Sequence, residues 1–299
     1  MSFPSTARLR ALLAAPDMLV APGAYDGITA RLIAQAGFPA VYMTGAGTAA
    51  TNGYPDYGLI TMSEMVDNAA RIVRSVDVPV IADADTGYGN ELNVYRTVQE
   101  HERAGTAGIH IEDQVAPKKC GHLDDKVLVP VDEFVAKIRA AVAARRDPDF
   151  LIIARTDARA PMGFDEAVRR SNAALAAGAD MAFLEAPQTL EEMAAVPKLV
   201  HGPCLLNVVR GGKSPEVRMD DAQAMGYRLA IVPGMLFQAV VGVCDQMLAS
   251  LAANKVHPVM PGDATVREVF ARMGSAEWDV IRTKFRDNEL APIVASAAE

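Results

Sequence analysis

Cysteine is scarce in this chain. Cys120, Cys204 and Cys244 are the only three in 299 residues, and they form no C-x-x-C pair. An odd, scattered set excludes a disulfide framework and fits a reducing, cytoplasmic compartment. Basic charge is also short: 29 Lys and Arg stand against 37 Asp and Glu, a net charge of −8, with no long basic block. Nucleic acid is therefore not an expected partner, and an anionic substrate needs a local positive site such as a metal ion or a lysine-bearing loop. Long apolar runs are missing too. The most apolar stretch, residues 230–244, contains Pro233, two glycines and Gln238, and falls short of the roughly 20 residues of a membrane span. Residues 1–6 have neither a charged n-region nor an apolar h-region, so no signal peptide and no membrane association are expected. Low-complexity tracts are absent.

What is present is a rich supply of core-forming residues, 51% hydrophobic against 22% charged, which argues against disorder. Short apolar runs alternate with helical patterns. The predicted strands are 18–22, 40–44, 78–83, 108–112, 150–156, 181–185, 204–208 and 228–232. Helical patterns fall at 27–36, 63–75, 91–103, 131–145, 164–177 and 190–198. Ala36-Gly37, Ala104-Gly105 and Ala177-Gly178 punctuate the helix ends, where glycine suits the left-handed residue. Eight strand–helix repeats over about 220 residues predict a closed (β/α)8 TIM barrel. A doubly wound open sheet is the alternative, weakened because no G-x-G-x-x-G follows the first strand.

Residues 1–253 are thus expected to form a catalytic barrel and 254–299 a helical extension. A long apolar helix over 235–253 leads into a Pro- and Gly-bearing linker, then two amphipathic helices at 266–273 and 276–285. Apolar helices appended to a barrel must cover something, and another subunit is the expected partner.

Barrel chemistry sits at the C-terminal strand ends. Those ends carry Thr44-Gly45-Ala46-Gly47, Asp83-Ala84-Asp85, Glu112-Asp113, Arg155-Thr156-Asp157, Glu185 and Asn207. The glycine-rich turn offers N–H groups to an anion. Asp83 and Asp85, two apart, share one side if the strand continues. With Glu112 adjacent, so much negative charge needs a counter-ion, and Mg²⁺ suits oxygen ligands. The alternative is a hydrogen-bonded turn. Arg155 is read as a fork for a substrate carboxylate, or as a structural ion pair to Glu185 or Glu112.

After the fourth strand comes Lys118-Lys119-Cys120-Gly121-His122. Neighbouring cations lower a thiol's pKa, and a thiol near neutrality can donate a proton. Glycine lets the loop close over a ligand. The plain alternative is a solvated basic loop with an incidental cysteine. His110, inside a strand, is read as a satisfied core histidine. Cys204 and Cys244 read as small hydrophobes, Trp278 as packing in a tail helix, and the Met-rich stretch 225–247 as core.

Taken together, Tyr42-Met43-Thr44-Gly45-Ala46, Asp83-Ala84-Asp85-Thr86-Gly87-Tyr88-Gly89, Ile111-Glu112-Asp113-Gln114, the Lys118–His122 loop and Ile153-Ala154-Arg155-Thr156-Asp157 resemble the isocitrate lyase/phosphoenolpyruvate mutase superfamily. The likeness runs from about residue 8 to residue 255. The cysteine of the loop points to the carbon–carbon lyase branch rather than to the phosphonate mutases or the oxaloacetate decarboxylases. The chain's length points to the short lyases, which act on 2-methylisocitrate, 2,3-dimethylmalate and other alkylmalates. The resemblance implies Mg²⁺, replaceable by Mn²⁺, at Asp85 with Asp56, Asp83 and Glu112. It implies a 2-hydroxy-acid carboxylate on Thr44, Gly45 and Ala46, with Arg155 bridging, and a second carboxylate on Gly121, His122, Glu185 and Asn207. Cys120, Tyr42, Lys118 and His122 are the candidate catalytic residues, Cys120 as acid and Tyr42 as base. A dimer of helix-swapped dimers is implied as well. Hydroxyls at the ends of strands seven and eight would serve an additional carboxylate. Here those positions read Asn207-Val208-Val209-Arg210-Gly211-Gly212-Lys213 and Val232-Pro233-Gly234-Met235, so a small alkylmalate-type dicarboxylate is the expected substrate.

Overall fold

The computed structural model describes residues 5–262 and 264–286. The start read for a signal sequence lies outside these at residues 1–4, as does the end of the expected extension at 287–299. Eight parallel strands close on themselves in sequence order. They are β1 (Leu19–Ala24), β2 (Val41–Met43), β3 (Val80–Asp83), β4 (Gly108–Glu112), β5 (Leu151–Thr156), β6 (Met181–Leu184), β7 (Cys204–Asn207) and β8 (Leu229–Val232). Closure comes from β1 on β8, with Leu19 opposite Leu229 and Pro22 opposite Val232.

The helices are α1 (Ser5–Ala14), α2 (Gly27–Gln35), α3 (Gly45–Thr51), α4 (Met62–Val73), α5 (Glu91–Ala104), α6 (Val131–Ala144), α7 (Arg159–Met162), α8 (Phe164–Ala176), α9 (Leu190–Leu199), α10 (Met219–Met225), α11 (Met235–Asn254), α12 (Val266–Arg272) and α13 (Ser275–Arg286). Their starts are written locally. Asp26 with Thr29, Thr61 with Glu64, and Asn90 with Asn93 form reciprocal capping boxes on α2, α4 and α5, each satisfying N–H groups that the first turn leaves unpaired. Gly37, Gly105 and Gly178 take φ of 89°, 86° and 106°, the left-handed turns expected at the Ala-Gly helix ends.

Side chains from seven of the eight strands fill the barrel: Leu19, Tyr42, Ile81, Ile153, Phe183, Leu205 and Ile231 belong to one buried cluster. Leu9 of α1 joins that cluster beside Leu151, Met181 and Leu229, residues that open their strands. α1 therefore plugs the N-terminal end of the barrel, and burying Leu9 contributes about 1.5–3 kcal/mol. With that end filled, the opposite end is the one open to chemistry. Gly108 is the tight point of the wall, since a Cβ there would stand 2.5 Å from Leu151 Cβ.

Contacts divide the chain into two compact units, Met1–Gly242 and Val243–Glu299, so the division falls inside α11 rather than at residue 253. α11 itself corrects one sequence expectation. The helix continues through Asp245 and Gln246, which interrupt the apolar run but not the hydrogen-bonded spiral. It is thereby long and apolar enough to cross a membrane by length and composition, with a mean hydropathy of 1.5, and it is not buried within the chain. Cys244 and Trp278 are likewise exposed rather than packed inside this chain, and so are Met235 and Val240 in the stretch read as core.

Candidate active site

β3, β4 and β5 end in Asp83, Glu112 and Thr156, so three consecutive strands deliver their last polar side chains to one rim. The pairing Glu112↔Arg155 sets the acid and the guanidinium side by side. Arg155 is the hub. Nη1 is 3.2 Å from Glu112 Oε2, Nε is 2.9 Å from Asp157 Oδ2 and 3.7 Å from Glu185 Oε2. Its guanidinium also lies 5.1 Å over the Phe183 ring, a cation–π contact that adds to the hold. The ion-pair reading of Arg155 holds, and the side chain also lines the cavity, where the substrate-fork reading would place it. Burial opposes its charge, but Asp157, Glu112 and Glu185 outweigh burial and raise its pKa.

The mouth encloses a cavity of about 190 Å³ lined by Tyr42, Thr44, Ala46, Gly47, Asp56, Asp83, Cys120, Gly121, His122, Arg155, Phe183, Glu185 and Asn207. Val209, Pro233, Gly234, Phe237 and Gln238 complete it. The volume lies below the range of drug-sized pockets, so the ligand is small.

On one side lies the acidic cluster. Asp83 ends β3, and the strand does not continue to Asp85. Asp85 turns at φ 45°, and its N–H donates to Asp83 Oδ1 at 2.9 Å. The shared-face expectation is therefore corrected: a hydrogen-bonded turn, not a pleat, brings the two carboxyls together. Asp83 Oδ2 also accepts from Gly45 N–H at 3.2 Å. That part of the glycine-rich turn serves the protein, while Ala46 and Gly47 line the cavity. Lys118 Nζ sits 2.5 Å from Asp56 Oδ1 and 2.8 Å from Asp85 Oδ1. Burial pushes the Asp85 carboxyl up to about 6, with Lys118 opposing and Asp83 reinforcing the shift. Burial likewise raises Glu112 well above its ordinary value against the pull of Arg155. Glu112 Oε1 is buried and has no hydrogen-bond partner among the described residues. Among those residues no three carboxylate, imidazole or thiol groups converge enough to hold a metal by themselves. The donor set instead suits a hard cation that keeps most of its waters and takes one or two carboxylates directly.

His110 changes standing. It is fully buried, as a core histidine would be, yet its Nε2 is 2.7 Å from Tyr42 Oη, and the two rings stack at 5.7 Å. Nε2 also lies 3.5 Å from Asp83 Oδ1. Burial pushes His110 down to about 4, so at neutral pH it meets Asp83 as an uncharged ring. Burial, then Asp83, raise Tyr42 well above the usual phenol range.

Opposite the cluster is the loop after β4. Gln114 clamps it by accepting from Lys119 N–H at 3.0 Å and donating to Lys119 O at 2.8 Å. Cys120 N–H donates to Asp56 O at 3.1 Å. Lys126, buried and unnoticed in the sequence, reaches Asp157 Oδ1 at 2.9 Å and also bonds the Gly121 carbonyl. Gly121 must be glycine, because a Cβ there would meet Glu185 Cγ at 2.6 Å. The expected lysine activation of the thiol is overturned. Lys118 points away into the carboxylates, and burial, followed by the Asp56 charge, pushes the Cys120 thiol up to about 11. Cys120 is a protonated thiol at neutral pH. His122 Nε2 is 3.0 Å from Glu185 Oε1, and Asn207 Nδ2 donates to both Glu185 oxygens at 3.2 Å. Burial opposes the Glu185 charge, but Arg155 and His122 hold its carboxyl well below the usual range.

All fifteen sequence-derived site residues thus gather at one end of the barrel, lining the cavity or standing directly behind it. His110, Lys126, Asp157 and Phe183 were missed as site residues. Only Asp157 carried a local signal, two positions after Arg155. The others are identified by partners distant in sequence.

Comparison with known proteins agrees with this geometry. The family model for phosphoenolpyruvate phosphomutase matches residues 9–252. A 2,3-dimethylmalate lyase of Eubacterium barkeri is 51% identical over 90% of this chain and 94% of its own. A 2-methylisocitrate lyase of Aeropyrum pernix is 46% identical over 81% and 78%. The crystal structure of a 2,3-dimethylmalate lyase superimposes with a TM-score of 0.90 at 40% identity, covering 95% of this chain and 96% of that one. A phosphonopyruvate hydrolase complexed with oxalate and Mg²⁺ gives 0.86 at 31% identity, covering 95% and 99%. With the motifs, the barrel and these relatives in register along nearly the whole chain, the protein belongs to the phosphoenolpyruvate mutase/isocitrate lyase superfamily, as one of its carbon–carbon lyases.

Proposed function

We propose that the enzyme is a Mg²⁺-dependent lyase that cleaves the C2–C3 bond of a small alkylated 2-hydroxydicarboxylate of the 2,3-dimethylmalate type, releasing a 2-oxo acid such as pyruvate and a carboxylic acid. The observation that carries the choice of substrate is the wall of Val209, Pro233, Gly234 and Phe237, which offers no side-chain cation or hydroxyl. A third carboxylate against it would find no cation or hydroxyl there, with the Gln238 amide beside it as a neutral donor, and would stay under-paired at a cost of about 1–3 kcal/mol. An alkyl group there is buried favourably. Similarity to the dimethylmalate lyases and the cavity's small volume support the same choice.

Asp85, with Asp83, Glu112 and Asp56, would hold the ion, and Mn²⁺ can replace it. Bound there, it would lower the pKa of the substrate hydroxyl and polarise the adjacent carboxylate. The protein's own groups do the rest. Thr44, Gly45 and Ala46 frame that carboxylate, and Arg155 bridges the substrate oxygens. Tyr42, a protonated phenol, takes the hydroxyl proton as it passes its own to His110 Nε2, which is 2.7 Å away on an uncharged ring. As C2–C3 breaks in the retro-aldol sense, charge builds on the departing carboxylate. His122, Asn207 and the Gly121 N–H meet it there, where donors act on the transition state most strongly. Cys120 then gives its proton to the carbanion carbon. The thiol argues against a phosphonate mutase role. The soluble, cytoplasmic setting and a tetramer of helix-swapped dimers belong to the same proposal.

A substrate panel tests it: 2,3-dimethylmalate, other C2- or C3-alkylated malates, 2-methylisocitrate, oxaloacetate and phosphonopyruvate, with coupled detection of 2-oxo acid. Preference for a dimethyl- or alkylmalate, dependent on Mg²⁺, is the expected outcome. Preference for 2-methylisocitrate would move the assignment to the tricarboxylate lyases, and turnover of phosphonopyruvate alone would overturn it.

A further inference from the structure

The segment after β7 reaches across the mouth to a residue far from it in sequence. Lys213 N–H donates to His122 Nδ1 at 3.0 Å. A backbone amide can only donate, so Nδ1 is the acceptor and the ring proton belongs on Nε2. That nitrogen is the one 3.0 Å from Glu185 Oε1. Gly212 makes the approach possible, since a Cβ there would stand 2.6 Å from His122 Nδ1 and 2.8 Å from Cε1. Gly211, at φ 75°, supplies the turn that presents both. The Lys213 ammonium bonds Asp124, just past His122, and lies 3.4 Å from Leu123 O. Neither Gly212 nor Lys213 lines the cavity, so any effect on the reaction passes through the imidazole or the loop that carries it.

We propose that Gly212 and Lys213 are positioning residues, a backbone cradle that fixes the His122 ring in the tautomer with its proton on Nε2, an atom with no hydrogen-bond partner among the described residues and so left to donate to substrate, and holds the Cys120–His122 loop at the cavity. The idea rests on the role given to His122 above. Its alternative is that the anchors within the loop, Gln114 on Lys119 and Lys126 on Gly121, suffice alone. A second-site device of this kind matters because a misplacement of about 1 Å costs on the order of 10²-fold in rate.

Gly212→Ala crowds the ring, and Lys213→Pro deletes the donor because proline has no N–H. The two act on one contact by different means, so a folding defect in either leaves the other as the test. Full-length protein labelled with [¹⁵N]histidine reports the tautomer by long-range ¹H–¹⁵N correlation. The wild type should show Nε2 protonated, and each variant a mixed or inverted tautomer. In the same proteins, pyruvate release from 2,3-dimethylmalate should fall about 10- to 100-fold, mostly in kcat, since His122 acts where charge develops. Arg210→Ala, in the same segment but outside the cradle, should alter neither readout. A wild-type ring protonated on Nδ1 would overturn the proposal. So would variants with unchanged melting temperature that keep both the tautomer and turnover within about twofold of wild type. Absence of pyruvate release from the wild type would instead sink the substrate assignment, with the tautomer measurement still deciding the cradle.

Discussion

At Cys120 the protein favours the thiol over the thiolate, because burial and the Asp56 charge raise its pKa to about 11. That suits a proton donor and disfavours a nucleophile. Cys120→Ser should lower kcat by about 10²- to 10⁴-fold, the usual worth of a general acid, while the variant still binds the 2-oxo acid product in a calorimetric titration. Survival of turnover within about a few-fold would remove the acid role. Asp85 is shifted in the same sense, toward its protonated form. Its carboxyl is raised to about 6 by burial, with Lys118 opposing and Asp83 reinforcing, so the folded state favours the protonated form. The stability this group contributes is complete below the unfolded value of about 3.9 and is lost as pH rises through about 6. Mg²⁺ needs the carboxylate, so proton and metal compete. Affinity for Mg²⁺ measured by calorimetry should fall about tenfold per pH unit below about 6 and level off above it. At this scale the sequence was readable for which residues meet at the rim, as with Arg155, Glu112 and Cys120, but not for the thiol, whose expected activation by lysine is overturned. It was not readable where direction matters. Lys118 finds Asp56 across 62 residues, and His110 finds Tyr42 across 68, and neither partner is implied by spacing.

Among the elements, each predicted strand overlaps the one formed, and β4 coincides with its expected run, Gly108–Glu112. Strands buried on both faces read as continuous apolar runs bounded by polar rim residues, a strong signal. The helix α1 (Ser5–Ala14) was not foreseen, nor were three shorter ones. α3, α7 and α10 span seven, four and seven residues, too few turns for a periodic pattern to register. α3 was read instead as a glycine-rich turn, and its first residue does spend its N–H on Asp83. The β4–β5 wall offers the clearest test of packing. Gly108→Ala would place a methyl 2.5 Å from Leu151 Cβ, so either strand must shift. The expected cost is about 1–3 kcal/mol, read as a lower urea midpoint with an unchanged slope.

For the molecule as a whole, the apolar surface of α11 is the outstanding asymmetry. Met235, Val240, Val241, Leu248 and Leu251 are all exposed in the single chain. Such a surface marks an interaction site in a soluble protein, in line with the proposed helix-swapped assembly. Sedimentation velocity should find the wild type as an oligomer and find Leu248→Glu, at a residue 64% exposed, shifted toward smaller species. A monomeric wild type would remove the assembly from the proposal. Lys118, lodged between Asp56 and Asp85, has a different consequence. The barrel carries a resident counter-ion of its own, so removing the proposed divalent ion would not strand bare carboxylates, a penalty of several kcal/mol apiece. Chelation should therefore forfeit only the binding contribution, about 2.7 kcal/mol at a hundredfold excess over Kd. EDTA-treated enzyme should keep its circular dichroism, fall silent in the assay, and resume work when magnesium is returned without passing through an unfolded state.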